Sequence, residues 1–169
     1  DEEFLLMLQL DELIAELRLD YYREEYQSGL RLIPHYIELK ESVLNTGLQD
    51  VINNYLDLGK TLLNHSSFAY DTLMVKMLLP VVEPLQWEYG SSIMGDSWFL
   101  QFVDGEKADF NESLYLKYIK RILAYPLEPQ RVKEKLYHAN RLTNIFGNHS
   151  LSLELYEEAL LEAKELGDL

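Results

Sequence analysis

Apolar residues recur along this chain at intervals of three and four, interrupted by short polar stretches, and each unbroken run predicts an α-helix. A first helix is expected from Glu2 to Leu19, with Phe4, Leu5, Leu8, Leu13 and Leu17 as its apolar positions and Asp11, Glu12 and Glu16 between them. The stretch Tyr21 to Tyr26 turns the corner. A second helix runs through Leu30, Ile33, Ile37, Val43 and Leu44 to Asn45-Thr46-Gly47, and Pro34 makes it kink or restart because that residue has no amide hydrogen to donate. The third spans about Leu48 to Leu63 and is interrupted by Asn64-His65-Ser66-Ser67, with Ser67 as the cap of a fourth from Phe68 to Leu79. Pro80 and Pro84 predict a kinked extension, and Gly90 a stop. The fifth covers Ser91 to Val103, closed by Asp104-Gly105-Glu106. Asp109 followed by Glu112 has the spacing of a capping box for the sixth, about Phe110 to Ala124. Pro129 suits the first position of the seventh.

The last stretch, Arg131 to Asp168, reads as two helices folded into a hairpin. Leu136, Ala139, Thr143 and Phe146 recur on one face, Gly147-Asn148-His149-Ser150 breaks the pattern, and Leu153, Tyr156, Ala159, Leu160 and Ala163 resume it. This hairpin resembles a tetratricopeptide repeat, with Leu136 at the first large apolar position, Gly147 at the glycine between the helices, and Tyr156 and Ala159 at the aromatic and small residues of the second helix. Asn140 and Ser152 depart from the small Gly and Ala of that family. Breaks near Glu24, Asn64, Gly105 and Gly147 give intervals of 40, 41 and 42 residues, and Asn-His-Ser occurs at both 64–66 and 148–150. The expected fold is therefore all-α, a right-handed superhelix of about four antiparallel helical hairpins with a period of about 41, longer than the roughly 34 of the standard repeat. Residues 1–169 would form one such domain, a piece of a longer protein.

A lone helical hairpin leaves one apolar face wet, and stacking hairpins buries it at roughly 1.5–3 kcal/mol for each well-buried Leu or Phe. Stacking leaves a concave side lined by the first helix of each pair. On the helix beginning at Pro129, the face opposite Leu136 and Ala139 carries Glu134, Tyr137, His138, Arg141 and Asn144. Asn offers a peptide bond both a donor and an acceptor, and Arg grips a carboxylate with two parallel hydrogen bonds. The resemblance implies an extended peptide held by such residues. It also implies a sensing or regulatory role like that of the helical-repeat domains of bacterial peptide- or ligand-responsive transcription regulators, in the cytoplasm.

Composition narrows the partners. The 169 residues carry a formal charge of −14, with a pI near 4.6, so the surface repels phosphate backbones and no direct nucleic-acid contact is expected. A basic or apolar peptide or protein segment fits better. Cysteine is absent, which excludes disulfides and thiolate metal sites. No apolar run approaches the roughly 20 residues that cross a bilayer.

Candidate chemistry is sparse. Glu134 with His138, and His35 with Glu38, lie one helical turn apart, but a zinc site needs three or four converging ligands. No nucleophile elbow, phosphate loop or dinucleotide fingerprint is present, so neither catalysis nor a metal nor another cofactor is expected. The stretch from Trp87 to Phe102 reads as core, with an exposed anchor pocket as the other reading. The alternative function is a structural scaffold or homo-oligomerisation module without a small ligand.

Overall fold

The computed structural model describes residues 2–90, 92–103 and 111–167, and among these every regular element is helical, with no strand. The fold is all-α. The chain divides into two compact units, one holding the first five helices and the other the last four. No described helix is long and apolar enough to cross a membrane.

In the first unit α1 spans Glu2–Tyr22 and buries Leu6, Leu10, Leu13 and Leu17. The face is shifted from the expected one, since Phe4, Leu5 and Leu8 are exposed. The short α2 (Tyr26–Gly29) and a 3₁₀ turn (Leu30–Leu32) lead into α3 (Ile33–Asn45), with Pro34 in its first turn, where the missing amide hydrogen is harmless. The restart alternative at Pro34 is the one realised. Next, α4 (Gln49–Phe68) is buried on several sides, because α1, α2, α3 and α5 all pack against it.

The expected break at Asn64 does not occur. His65 Nδ1 lies 3.0 Å from the Thr61 carbonyl and Ser66 donates to the Leu62 carbonyl at 2.9 Å, so both side chains bond back to the helix that carries them, while His65 Nε2 is buried without a partner. Ser67 is buried inside α4, and the chain turns only at Tyr70, whose φ is +55°. Asp71, not Ser67, caps α5 (Thr72–Tyr89), accepting from the Met74 amide at 3.0 Å. Pro80 and Pro84 interrupt nothing. They stand four residues apart on one exposed face of the helix, and α5 runs through both. The Asn-His-Ser echo therefore joins the end of one helix, with no break there, to the start of another.

In the second unit α6 spans Ile93–Leu100, α7 Glu112–Leu123, α8 Pro129–Asn144 and α9 His149–Glu165. Ser92, Asn111 and Asn148 cap α6, α7 and α9 through bonds to the amides of Gly95, Leu114 and Leu151. The proposed capping residue Asp109 and the expected stop at Asp104-Gly105-Glu106 lie outside the described residues, as does Asp168. Asp96, fully buried on α6, is 2.8 Å from Arg121 Nε on α7 and accepts from the Tyr125 hydroxyl at 2.8 Å. Pro129 opens α8 as expected, and Gly147, at φ +63°, supplies the left-handed turn that lets α9 fold back on it.

Candidate functional site

The hairpin of α8 and α9 is where the register of the sequence pattern matters most. Its seam buries Val132, Lys135, Ala139 and Leu142 against Ser152, Leu155, Ala159 and Glu162. Of the residues expected to face inward, Ala139 and Ala159 do so. Leu136, Leu153, Tyr156 and Leu160 are exposed. The displacement comes from ion pairs. Glu162 accepts from Arg131 and Lys135, and Lys135 also reaches Glu158 at 2.8 Å, so two long cationic side chains occupy the seam.

That register turns Glu134 and His138 inward on another side, toward α6 and α7, and not toward solvent as expected. Glu134 is 7% exposed and His138 1%. Ser97 of α6 donates to Glu134 Oε2 and lies 3.0 Å from His138 Nε2, while the Tyr115 hydroxyl of α7 is 2.8 Å from His138 Nδ1. The directions follow. The Ser97 hydrogen is given to the carboxylate, so Nε2 must donate to Ser97, and Nδ1 accepts from Tyr115. Burial first, and the Arg141 charge second, lower the His138 pKa to about 3, so the ring is neutral near pH 7. A nucleophilic serine needs the opposite polarity, with an unprotonated nitrogen receiving the hydroxyl hydrogen. Proximity of Ser97 and His138 therefore does not activate Ser97.

In front of this polar chain lies a cleft of about 350 Å³. Its α6 side is formed by Met94, Ser97 and Trp98, with Gln101 just beyond, and its α8 side by Lys133, Glu134 and Tyr137. Trp98 packs edge-on to the buried Phe102 at 4.9 Å between ring centroids. The aromatic stretch thus divides: Phe99 and Phe102 are core, while Trp98 is half-buried in a cleft wall. Tyr137 is 48% exposed and lies edge-on to His138 at 5.0 Å.

Of the five residues singled out in the sequence, Glu134 and Tyr137 line this cleft and His138 lies behind it. The half-buried Arg141 stands behind Tyr137, its guanidinium 5.6 Å from that ring and its Nη1 3.4 Å from the hydroxyl. Asn144 is exposed one turn further along and is bonded to Asn140. Trp98 belongs to the aromatic stretch whose other reading is an anchor pocket, whereas Ser97 and Tyr115 were not singled out; Ser97 lies 37 positions from Glu134 and 41 from His138, and Tyr115 lies 23 from His138, so no local pattern announces them. Among the described residues no three His, Asp or Glu side chains are grouped so as to hold a metal ion, and His35 and Glu38 are an exposed pair 3.9 Å apart. Comparison with protein families, with curated proteins and with solved structures finds no match to this chain.

Proposed function

We propose that the chain is a helical protein- or peptide-binding module, and that a partner segment lies along the exposed strip of α8 with its anchor in the cleft between α6 and α8. One observation carries this reading: the cleft has an aromatic side chain on each wall, held by rigid helices, with a few polar groups between, which is the usual make-up of a recognition pocket. Tyr137, Arg141 and Asn144 continue the contact beyond the cleft. The resemblance of the α8/α9 hairpin to a tetratricopeptide repeat extends the proposal to a superhelical array serving as the sensing or regulatory domain of a larger protein, like those of bacterial transcription regulators.

The test uses a Trp87→Phe variant, which leaves Trp98 as the sole tryptophan. Acetylated, amidated nonapeptides of cationic, neutral and acidic composition are titrated while its fluorescence is followed. At least one class should shift the Trp98 emission saturably, and Tyr137→Ala with Arg141→Ala should weaken it about tenfold with unchanged melting. A flat response to all three classes would defeat the reading.

A second reading, the scaffold, is favoured by a separate observation. Thr143 and Ser152 are hydrogen-bonded at 2.6 Å, which places them on the hairpin side away from its ion pairs, and helical spacing puts the exposed Leu136, Tyr156 and Leu160 on that same side. Such a face suits self-association, and sedimentation of the same samples across a hundredfold concentration range separates the two readings.

A further inference from the structure

Four acidic side chains are buried among the described residues: Asp20, Asp96, Glu134 and Glu162. A carboxylate removed from water needs a compensating cation, because its hydration is lost and hydrogen bonds from neutral groups replace only part of it. Three of the four have one. Asp20 is 2.9 Å from Arg31, Asp96 is 2.8 Å from Arg121, and Glu162 meets both Arg131 and Lys135. Glu134 differs. Its Oε1 accepts from Gln130 at 2.6 Å and its Oε2 from Ser97, both neutral donors. The nearest ring nitrogen is that of His138, 3.8 Å away in an environment that opposes its protonation. Among the described residues no lysine or arginine pairs with it.

Glu134 is also the one buried acid of the four that lines the cleft, with Trp98 and Tyr137 on the walls. Aromatic faces attract organic cations, and more strongly when water is excluded. The net charge of −14 draws such cations toward the protein from a distance. Lys133, exposed on the rim, repels them at short range.

We infer that the cleft between α6 and α8 receives a cationic side chain, an arginine or lysine of the partner, which supplies the counter-charge missing at Glu134 and lies between Trp98 and Tyr137. This rests on the reading of that cleft as the contact site, and it gives the site the opposite sign from the carboxylate-binding use of Asn and Arg that the repeat resemblance implies.

The probes are acetylated, amidated nonapeptides identical except for a central arginine, citrulline or glutamate, titrated into the Trp87→Phe protein at moderate salt. Citrulline keeps the shape of arginine without its charge. The arginine peptide should bind about tenfold more tightly than the citrulline peptide. Glu134→Gln should bring the two within about twofold, whereas Glu157→Gln, which removes the same charge from an exposed site on α9, should leave the ratio intact. Lys133→Met, which keeps Glu134 and needs no refolding control in the core, should raise arginine-peptide affinity a few-fold and leave citrulline unchanged. Equal binding of arginine and citrulline would overturn the inference while leaving the contact site standing. No response to any peptide would overturn the contact site itself.

Discussion

The helix pairs α4/α5 and α8/α9 are both antiparallel hairpins, yet they are held together by different means. The side chains that α4 and α5 bury are mainly apolar, including Leu58, Leu62, Leu63, Val75, Leu78 and Val82. Between α8 and α9 the apolar set is thin, and Arg131, Lys135 and Glu162 form a charged network on one side, with the Thr143–Ser152 hydrogen bond on the other. An apolar seam is non-directional and tolerates small shifts. A charged one is directional, and it fails when one member is removed because the others are left without counter-charge. In this protein the directional seam is also the one that sets the register of α8, and so the position of Glu134 and Tyr137 at the cleft.

The largest effect should come from Glu162→Ala. Lys135 is only 2% exposed and would keep Glu158 alone as a partner, while Arg131 would lose its carboxylate altogether. A loss of about 3 kcal/mol is expected in urea unfolding followed by circular dichroism. A loss below about 1 kcal/mol would mean that the α8/α9 seam is as apolar in energy as the α4/α5 seam.

Acid should weaken the second unit by a comparable but smaller amount. His138 titrates near 6.5 when unfolded and near 3 when folded. Between these values the unfolded chain binds a proton that the folded chain refuses, so this contribution is complete above about pH 6.5 and drains as pH falls toward 3. Burial raises the Glu162 carboxyl, but hydrogen bonds from Arg131 and Lys135 and then their charges outweigh it, leaving the group below its ordinary value. Its contribution is lost only below about pH 4.5, with the same sign. Going from pH 7.5 to 4.5, stability should fall by about 2.5 kcal/mol through His138 alone. His138→Gln, neutral throughout, should flatten that part of the slope. An unchanged slope would show that His138 is not the group responsible.

The same contrast explains what could be read from the chain. Where one face is clearly apolar, as in α7 with Tyr115, Tyr118, Ile119 and Ile122 buried, the helix was legible. In α1 leucines occupy nearly every direction, so the stripe through Phe4, Leu5 and Leu8 had as good a period as the one actually buried through Leu6 and Leu10. In α8 charged residues do the packing, and hydrophobic spacing selected Leu136 where Lys135 and Leu142 are buried. Polar stretches misled for a related reason: His65 and Ser66 look like a break but bond back to their own helix. Tyr137 as an exposed contact candidate was legible from α8 alone and Trp98 only as one member of an aromatic stretch, whereas the meeting of the Ser97 and Trp98 wall with α8 depends on tertiary packing that no local spacing encodes.

The apolar seam has its own test, expected to be the smallest in size. Gly59 lies inside α4 facing α5, and a Cβ built there would be 2.1 Å from the Tyr36 hydroxyl and 2.8 Å from Val82 Cγ2. Tyr36 is fully buried, stacked on Tyr55 at 4.2 Å, with its backbone carbonyl accepting from the Tyr55 hydroxyl at 2.7 Å, so its ring has little room to retreat. Alanine would gain about 1 kcal/mol of helix propensity over glycine. Overpacking should cost about 1–3 kcal/mol, leaving Gly59→Ala destabilised by about 1 kcal/mol. The Tyr36 hydroxyl meets no hydrogen-bond partner. Removing it in Tyr36→Phe should therefore be neutral or mildly stabilising, since it also removes a buried unsatisfied group. In the double variant the nearest clash is gone, but the ring Cζ and Val82 Cγ2 remain 2.8 Å from the added Cβ, so Gly59→Ala should cost less than in the parent without becoming neutral, a coupling of about 0.5–1 kcal/mol in a double-mutant cycle. Strict additivity would mean that Val82, and not Tyr36, limits the approach of α5 to α4.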